Sequence, residues 1–142
     1  MRSSVVGIVV GVLVMACGGA STAPTGNGSV RIQSAEASYA AGDTAVFTME
    51  NIGSTEVNYN ACPFTLERRA GSGWLTVDVN RDMICDDALG LLNPGAKRDL
   101  LRRQLPNVPP GTYRYRFDSI YESGSERLPL ATRVSNGFDI TS

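Results

Sequence analysis

Apolar and polar residues alternate along much of the chain after residue 28, and this period of two is typical of half-buried β-strands. The clearest run is residues 44–51, where Ala45, Phe47 and Met49 would face a core and the residues between them would face outward. A second run covers residues 112–121 and begins after the turn signal Pro-Pro-Gly. Both segments predict strands with one buried face.

Shorter segments of the same kind predict the remaining strands, at residues 29–35, 57–62, 64–68, 74–79 and 131–140. The glycine-containing residues 70–73 would join two of them in a hairpin. Residues 97–105 are ambiguous, because Leu100 and Leu101 also allow a helical turn. About seven or eight strands, with turns about every 8–12 residues, predict an all-β chain folded as an immunoglobulin-like antiparallel β-sandwich.

The first residues have a different pattern. Arg2 precedes an apolar stretch, residues 5–16, which is too short to span a bilayer, since spanning takes about 20 helical residues. A charged start, a short apolar run and a small residue before the cleavage site are typical of a secretory signal peptide. The tetrapeptide from Val14 to Cys17 resembles the bacterial lipobox, in which the cysteine is acylated and becomes the first mature residue. An ordinary cleaved signal and a retained helix are the alternatives.

The lipobox resemblance implies a diacylglyceryl group on Cys17, and two or more fatty chains hold a protein stably on a membrane. Residues 18–28 contain no large apolar side chain and predict a flexible tether. We therefore expect a signal peptide at residues 1–16, a lipidated cysteine and tether at 17–28, and one sandwich domain at 29–142. Glycine rather than aspartate follows the cysteine, and this Gly18 resembles the outer-membrane sorting pattern of Gram-negative lipoproteins. The expected location is the outside of the cytoplasmic membrane, or the outer membrane of a Gram-negative cell.

Three cysteines are present, and a lipid on Cys17 would leave Cys62 and Cys85. In an oxidising compartment this pair predicts a disulfide, which would pin the irregular residues 80–90. A metal site or a reactive thiol is the alternative, but two cysteines without any histidine make a poor zinc site.

Composition argues against several activities. The absence of histidine removes the Ser-His-Asp triad, the Cys-His pair and histidine metal sites. Lys97, the sole lysine, follows a turn, and Asp82, Asp86 and Asp87 lack the calcium-loop spacing. A net charge of −1 lacks the basic footprint of nucleic-acid binding. We expect no enzyme, no metal, no cofactor and no nucleic-acid partner.

Charged residues on one predicted strand are the candidate binding site. Arg114 and Arg116 would lie on its outward side, and Arg68 could join them, as could Arg102 or Arg103. Guanidinium groups in a row could pair with carboxylates or phosphates of a partner. Equally, outward charges keep a sheet soluble. Trp74 is interpreted as core or corner packing.

Several short motifs together resemble bacterial immunoglobulin-like domains of small lipoproteins. They are Tyr39-x-x-Gly42-Asp43, Phe47-Thr48-x-x-Asn51, Leu66-Glu67-Arg68, Gly73-Trp74, Leu92-x-Pro94-Gly95 and Pro110-Gly111-Thr112-Tyr113-Arg114. The resemblance implies an adhesive, spacer or inhibitor-like module, and Gly111-x-Tyr113 resembles a tyrosine corner.

The combined expectation is a membrane-anchored extracytoplasmic lipoprotein with a non-catalytic interaction or structural module. Its partners would be the membrane, through the lipid on Cys17, and a protein or other envelope component, and the domain is expected to be monomeric. The alternative is a protease inhibitor presented at the cell surface, with the 80–90 region occupying an active site.

Overall fold

The computed structural model describes residues 29–79, 85–122 and 126–142. Strands dominate these residues, and the one helical element among them is a short 3₁₀ turn, Leu130–Thr132. The strands are β1 (Val30–Ser34), β2 (Ser38–Ala40), β3 (Thr44–Asn51), β4 (Val57–Ala70), β5 (Gly73–Val79), β6 (Gly90–Leu92), β7 (Lys97–Gln104), β8 (Gly111–Glu122) and β9 (Phe138–Thr141). Within the described part of the chain, no helix is long and apolar enough to cross a membrane.

The strands form two sheets. The small sheet has the order β1-β3-β7, and the large sheet has the order β2-β9-β8-β4-β5, with β6 also paired to β4. All pairings are antiparallel except β2 with β9, which is parallel. The chain is an all-β, immunoglobulin-like sandwich, as the alternating pattern predicted.

Aromatic side chains from both sheets meet in the core. Phe47 of the small sheet contacts Tyr115 of the large sheet edge to face, with ring centroids 5.1 Å apart. Phe64 contacts the same tyrosine at 5.5 Å. Phe47, Tyr115 and Phe117 are at most 1% exposed. The two clean alternating runs therefore supply the centre of the core from opposite sides.

The start of β8 has the corner that the family resemblance implied. The Tyr113 hydroxyl donates a hydrogen bond to the carbonyl oxygen of Pro109. Its ring is fully buried, so the bond fixes the chain where it enters the strand.

Some predicted boundaries were wrong, and two strands, β2 and β6, were not predicted. The two strands expected at 57–62 and 64–68 form one strand, β4, which passes through the cis Cys62–Pro63 peptide and shifts register against β8 between Asn60 and Phe64. A strand that was not predicted, β6, pairs with the start of β4. For residues 97–105, which the sequence left open between a strand and a helical turn, the structure has the strand β7. Only Phe138–Thr141 of the last segment is a strand.

Candidate functional site

The outward face of the large sheet contains a buried carboxylate between two arginines. Glu67 of β4 and Arg114 of β8 are direct cross-strand partners, and Arg116 follows two residues along. Arg114 Nε donates to Glu67 Oε2 at 2.8 Å, and Arg116 Nε donates to Glu67 Oε1 at 3.0 Å. The Glu67 side chain is only 10% exposed. Both predicted arginines are thus held in place by one acceptor.

The arginine pairing continues along β8. Arg116 also donates to Thr65 Oγ1 at 3.1 Å and forms an ion pair with Asp118. Arg133 lies 3.4 Å from the same Asp118 oxygen and donates to the backbone carbonyls of Leu128 and Phe117. Arg133 therefore connects the residues next to the 3₁₀ turn with β8. The sequence analysis did not identify this residue.

Trp74 lies on this same face and not in the core. It is half-buried on β5, beside Arg69 in the β4–β5 register. The Arg114 guanidinium carbon lies 4.2 Å from the centroid of the indole ring, and that of Arg69 lies 5.4 Å from it. Both distances are within the range of cation–π attraction. The tryptophan is therefore flanked by two cations in a fixed arrangement.

We call Glu67, Arg69, Trp74, Arg114 and Arg116 the outer-face cluster. The alternation of charged residues predicted two members, Arg114 and Arg116. The other three come from neighbouring strands, and only the pairing of β4 with β5 and β8 brings them together.

Arg68 does not belong to this cluster. It is the cross-strand partner of the inward-facing Tyr113, and it donates to the carbonyl oxygen of Pro110 at 3.0 Å. Since neighbouring residues of a strand point to opposite faces, Arg68 and Glu67 lie on different sides of the sheet. Arg102 and Arg103 are on β7, in the small sheet, where Arg103 lies over the ring of Phe64. The predicted arginines therefore lie in three separate places: the outward face of the large sheet, its opposite face, and the small sheet.

The predicted disulfide is present, and Cys62 and Cys85 are bonded with their Cα atoms 5.6 Å apart. Asn60 makes two further hydrogen bonds beside the disulfide. Its side-chain N–H donates to the carbonyl oxygen of Asp86 at 2.6 Å, and its side-chain oxygen accepts from the backbone N–H of Cys62 at 2.9 Å. Residues 85 and 86 are therefore fastened to β4. Residues 80–84 and Cys17 lie outside the described residues.

A pocket of about 350 Å³ opens beside the disulfide. Its lining includes Leu89 and the cross-strand partners Asn58 and Tyr121. Side-chain hydrogen bonds with Ser119 and with Arg127 lower the pKa of the Tyr121 hydroxyl. In residues 29–79, 85–122 and 126–142, no group of acidic or sulfur side chains is arranged to hold a metal ion.

No family model matches the chain, and no curated protein sequence matches it. Solved structures with a similar course of the chain include the Pseudomonas fluorescens alkylpurine DNA glycosylase AlkC bound to DNA containing an abasic site analogue, at 13% identity and a TM-score of 0.42. A second is Spo0M, the sporulation control protein of Bacillus subtilis, at 10% identity and 0.47. A third is PapD-like domain 7 of human CEP192, at 21% identity and 0.33.

These alignments cover 82%, 82% and 94% of the chain but 31%, 50% and 93% of the three solved chains. The chain therefore spans about a third of the first structure and half of the second. All three TM-scores are below 0.5, and the strand order described above remains the basis for the fold.

Proposed function

We propose that this chain is a lipid-anchored protein of the cell envelope whose sandwich domain is a non-catalytic interaction module. The outer-face cluster is its binding surface, and the carrying observation is Trp74 held between Arg69 and Arg114. Tryptophan and arginine are the side chains most enriched where binding energy concentrates in protein interfaces. The proposed partner is an envelope protein that presents carboxylates.

Pre-organisation supports this assignment. An arginine that must be fixed on binding loses side-chain entropy, which lowers the affinity gained. Arg114 and Arg116 are already fixed by Glu67, and their side chains are only 19% and 25% exposed. The entropy lost in ordering these two side chains is therefore lost during folding and not on binding.

Charge supports an acidic partner. The outer-face cluster contains three guanidinium groups and one carboxylate, and Asp118, which pairs with Arg116, still leaves an excess of positive charge. Arg69 is exposed, and its Nε donates to the carbonyl oxygen of Gly71. Its terminal nitrogens are the cluster's most accessible donors toward a partner's carboxylate.

The binding surface can be tested by capture from envelope extracts of the source cell. We expect Arg69→Glu and Trp74→Ala to reduce recovery of an acidic protein that the unmodified chain captures, with recovery falling as salt rises. Arg98→Glu is the matched control, since it reverses an exposed arginine of β7 in the other sheet. Identical recovery by all four chains would contradict the proposed surface.

The anchor is tested separately by growing cells with labelled fatty acid. We expect label on the unmodified chain and none on Cys17→Ala, together with release of that variant from membranes. An unlabelled chain that stays in the cytosol with reduced cysteines would contradict the anchor and leave the binding test intact.

A further inference from the structure

The pocket beside the Cys62–Cys85 disulfide is formed by β4, β8 and the segment that precedes β6. Its volume of about 350 Å³ is within the range of about 300–1,000 Å³ for small-molecule sites. Its polar and large apolar side chains include Asn58, Ser119, Tyr121, Asp86, Asp87 and Leu89. The residues of the outer-face cluster are not among those that line it. The pocket is therefore a second candidate site, separate from the proposed protein-binding surface.

Asn58 provides a pair of hydrogen-bonding groups that the fold does not use. Its half-buried side chain makes no hydrogen bond within residues 29–79, 85–122 and 126–142. Asn60, two residues along, uses both its side-chain N–H and its side-chain oxygen to hold the pocket wall. An amide has a donor and an acceptor side by side. Asn58 can therefore bind two neighbouring hydroxyl groups of one ligand.

Tyr121 contributes an aromatic ring from the adjacent strand. Asn58 is its cross-strand partner on one side of β8, and Arg127 is its partner on the other side. The Arg127 guanidinium carbon lies 5.8 Å from the centroid of the ring. The ring lines the pocket together with Leu89, so an apolar surface lies next to the free amide. A ligand that fits both has a C–H surface and hydroxyl groups on the same ring.

The charges of the pocket favour a neutral ligand. Asp86 and Asp87 are exposed and line it, and none of the described lining residues is cationic. Carboxylates accept strong hydrogen bonds from hydroxyl groups. The same carboxylates repel an anionic ligand. A purely apolar ligand would deprive the Asn58 amide of water without replacing its hydrogen bonds.

We propose that this pocket binds a neutral saccharide. The Asn58 amide donates to one ring hydroxyl and accepts from its neighbour, and the acidic pair Asp86 and Asp87 accepts from a further hydroxyl. The C–H face of the sugar ring packs against Tyr121. The disulfide and Asn60 hold residues 85 and 86 against β4, so this wall is in place before the sugar arrives.

Saturation-transfer NMR on the purified full chain tests this site. The probes are cellobiose, maltose and chitobiose, with glucuronic acid as the anionic comparison. We expect transfer to the ring C–H protons of a neutral disaccharide at millimolar concentration, and weaker transfer to glucuronic acid. Asn58→Ala should weaken binding of that disaccharide about tenfold, because two hydrogen bonds are lost. Asn107→Ala is the matched control, since Asn107 is exposed between β7 and β8.

Two further sets of variants separate the ring contact and the charge from effects on folding. Tyr121→Leu should abolish transfer to the ring protons, and Tyr121→Phe should retain it because the aromatic face is kept. The exposed double change Asp86→Asn with Asp87→Asn should remove the discrimination against glucuronic acid.

Trp74→Ala should leave saccharide binding unchanged, so this site and the outer-face cluster can fail independently. Absence of transfer to all three disaccharides would overturn the proposal. Equal weakening by Asn58→Ala and Asn107→Ala, equal loss in Tyr121→Leu and Tyr121→Phe, or tighter binding of glucuronic acid by the parent chain would also overturn it.

Discussion

Glu67 is the residue on which the geometry of the outer-face cluster depends. Its two oxygens accept from Arg114 and from Arg116, and its side chain is nearly withdrawn from solvent. Removing one member of a buried ion pair leaves the other charges without compensation, which is more costly than losing a surface pair. The cluster is therefore a structural unit as well as the proposed binding surface.

Glu67→Gln should destabilise the domain by about 2 kcal/mol, below the range of about 3–5 kcal/mol for fully buried pairs because both arginines keep some contact with water. Urea unfolding followed by tryptophan fluorescence measures the change. Glu50→Gln is the control, since Glu50 pairs with Arg31 at 3.5 Å in an exposed position and should cost about 0.5 kcal/mol or less. Equal losses for the two variants would contradict a special role for Glu67.

Tyr121 should ionise below the ordinary pKa of about 10 because the Ser119 hydrogen bond and Arg127 favour the phenolate. A lowered pKa stabilises the fold where the phenolate exists, and this contribution is fully present above the unfolded pKa. It disappears as pH falls through the folded pKa. Absorbance titration should show one early tyrosine that shifts upward in Ser119→Ala. An unchanged curve in that variant would contradict the assignment.

At the scale of elements, β4 organises the large sheet. It pairs with β8 along one side and with both β5 and β6 along the other, so its sequence must suit three neighbours. Gly90 shows how tight this fit is, because a Cβ built there would lie 2.7 Å from the ring carbon Cζ of Tyr59. Real Cβ atoms do not approach so closely, and either β6 or the tyrosine would have to move.

Gly90→Ala should therefore destabilise the domain by about 1–3 kcal/mol, the usual cost of overpacking. Gly73→Ala is the matched control on β5, where the nearest atom to the added Cβ is a backbone oxygen at 3.8 Å. That change should be neutral or slightly stabilising, because alanine restricts the unfolded chain. Thermal unfolding compares the two. A control variant as unstable as Gly90→Ala would show that the contact with Tyr59 is not the cause.

The strands with strict alternation could be predicted because the pattern needs only a local choice of inward and outward residues. β3 and the first part of β8 are such strands. The union of two predicted segments into β4, and the formation of β6, depend on pairing with residues far along the chain. A three-residue strand such as Gly90–Leu92 has too few residues for any periodic signal.

At the scale of the whole molecule, the Cys62–Cys85 disulfide closes a loop of 23 residues between β4 and the segment before β6. Replacing both cysteines by alanine should cost about 3 kcal/mol, from the greater conformational freedom of the unfolded chain. The urea midpoint measures this loss. Cys17→Ala should leave the midpoint unchanged, because residues 18–28 lack side chains that could join a core. A shift of the midpoint in that control would contradict the separation of tether and domain.

The sequence by itself determined the fold class and the inward aromatic residues, because alternation is a property of the linear chain. It predicted the pairing of Cys62 with Cys85 only with Cys17 assigned to a lipid, since the chain has three cysteines. Tertiary structure alone decided which charged residues meet. Strand pairing placed Glu67 between Arg114 and Arg116, and brought Trp74 to the same face. It also sent Arg68 to the opposite face. The register between strands distant in sequence fixes these contacts, and a local pattern of residues does not contain that register.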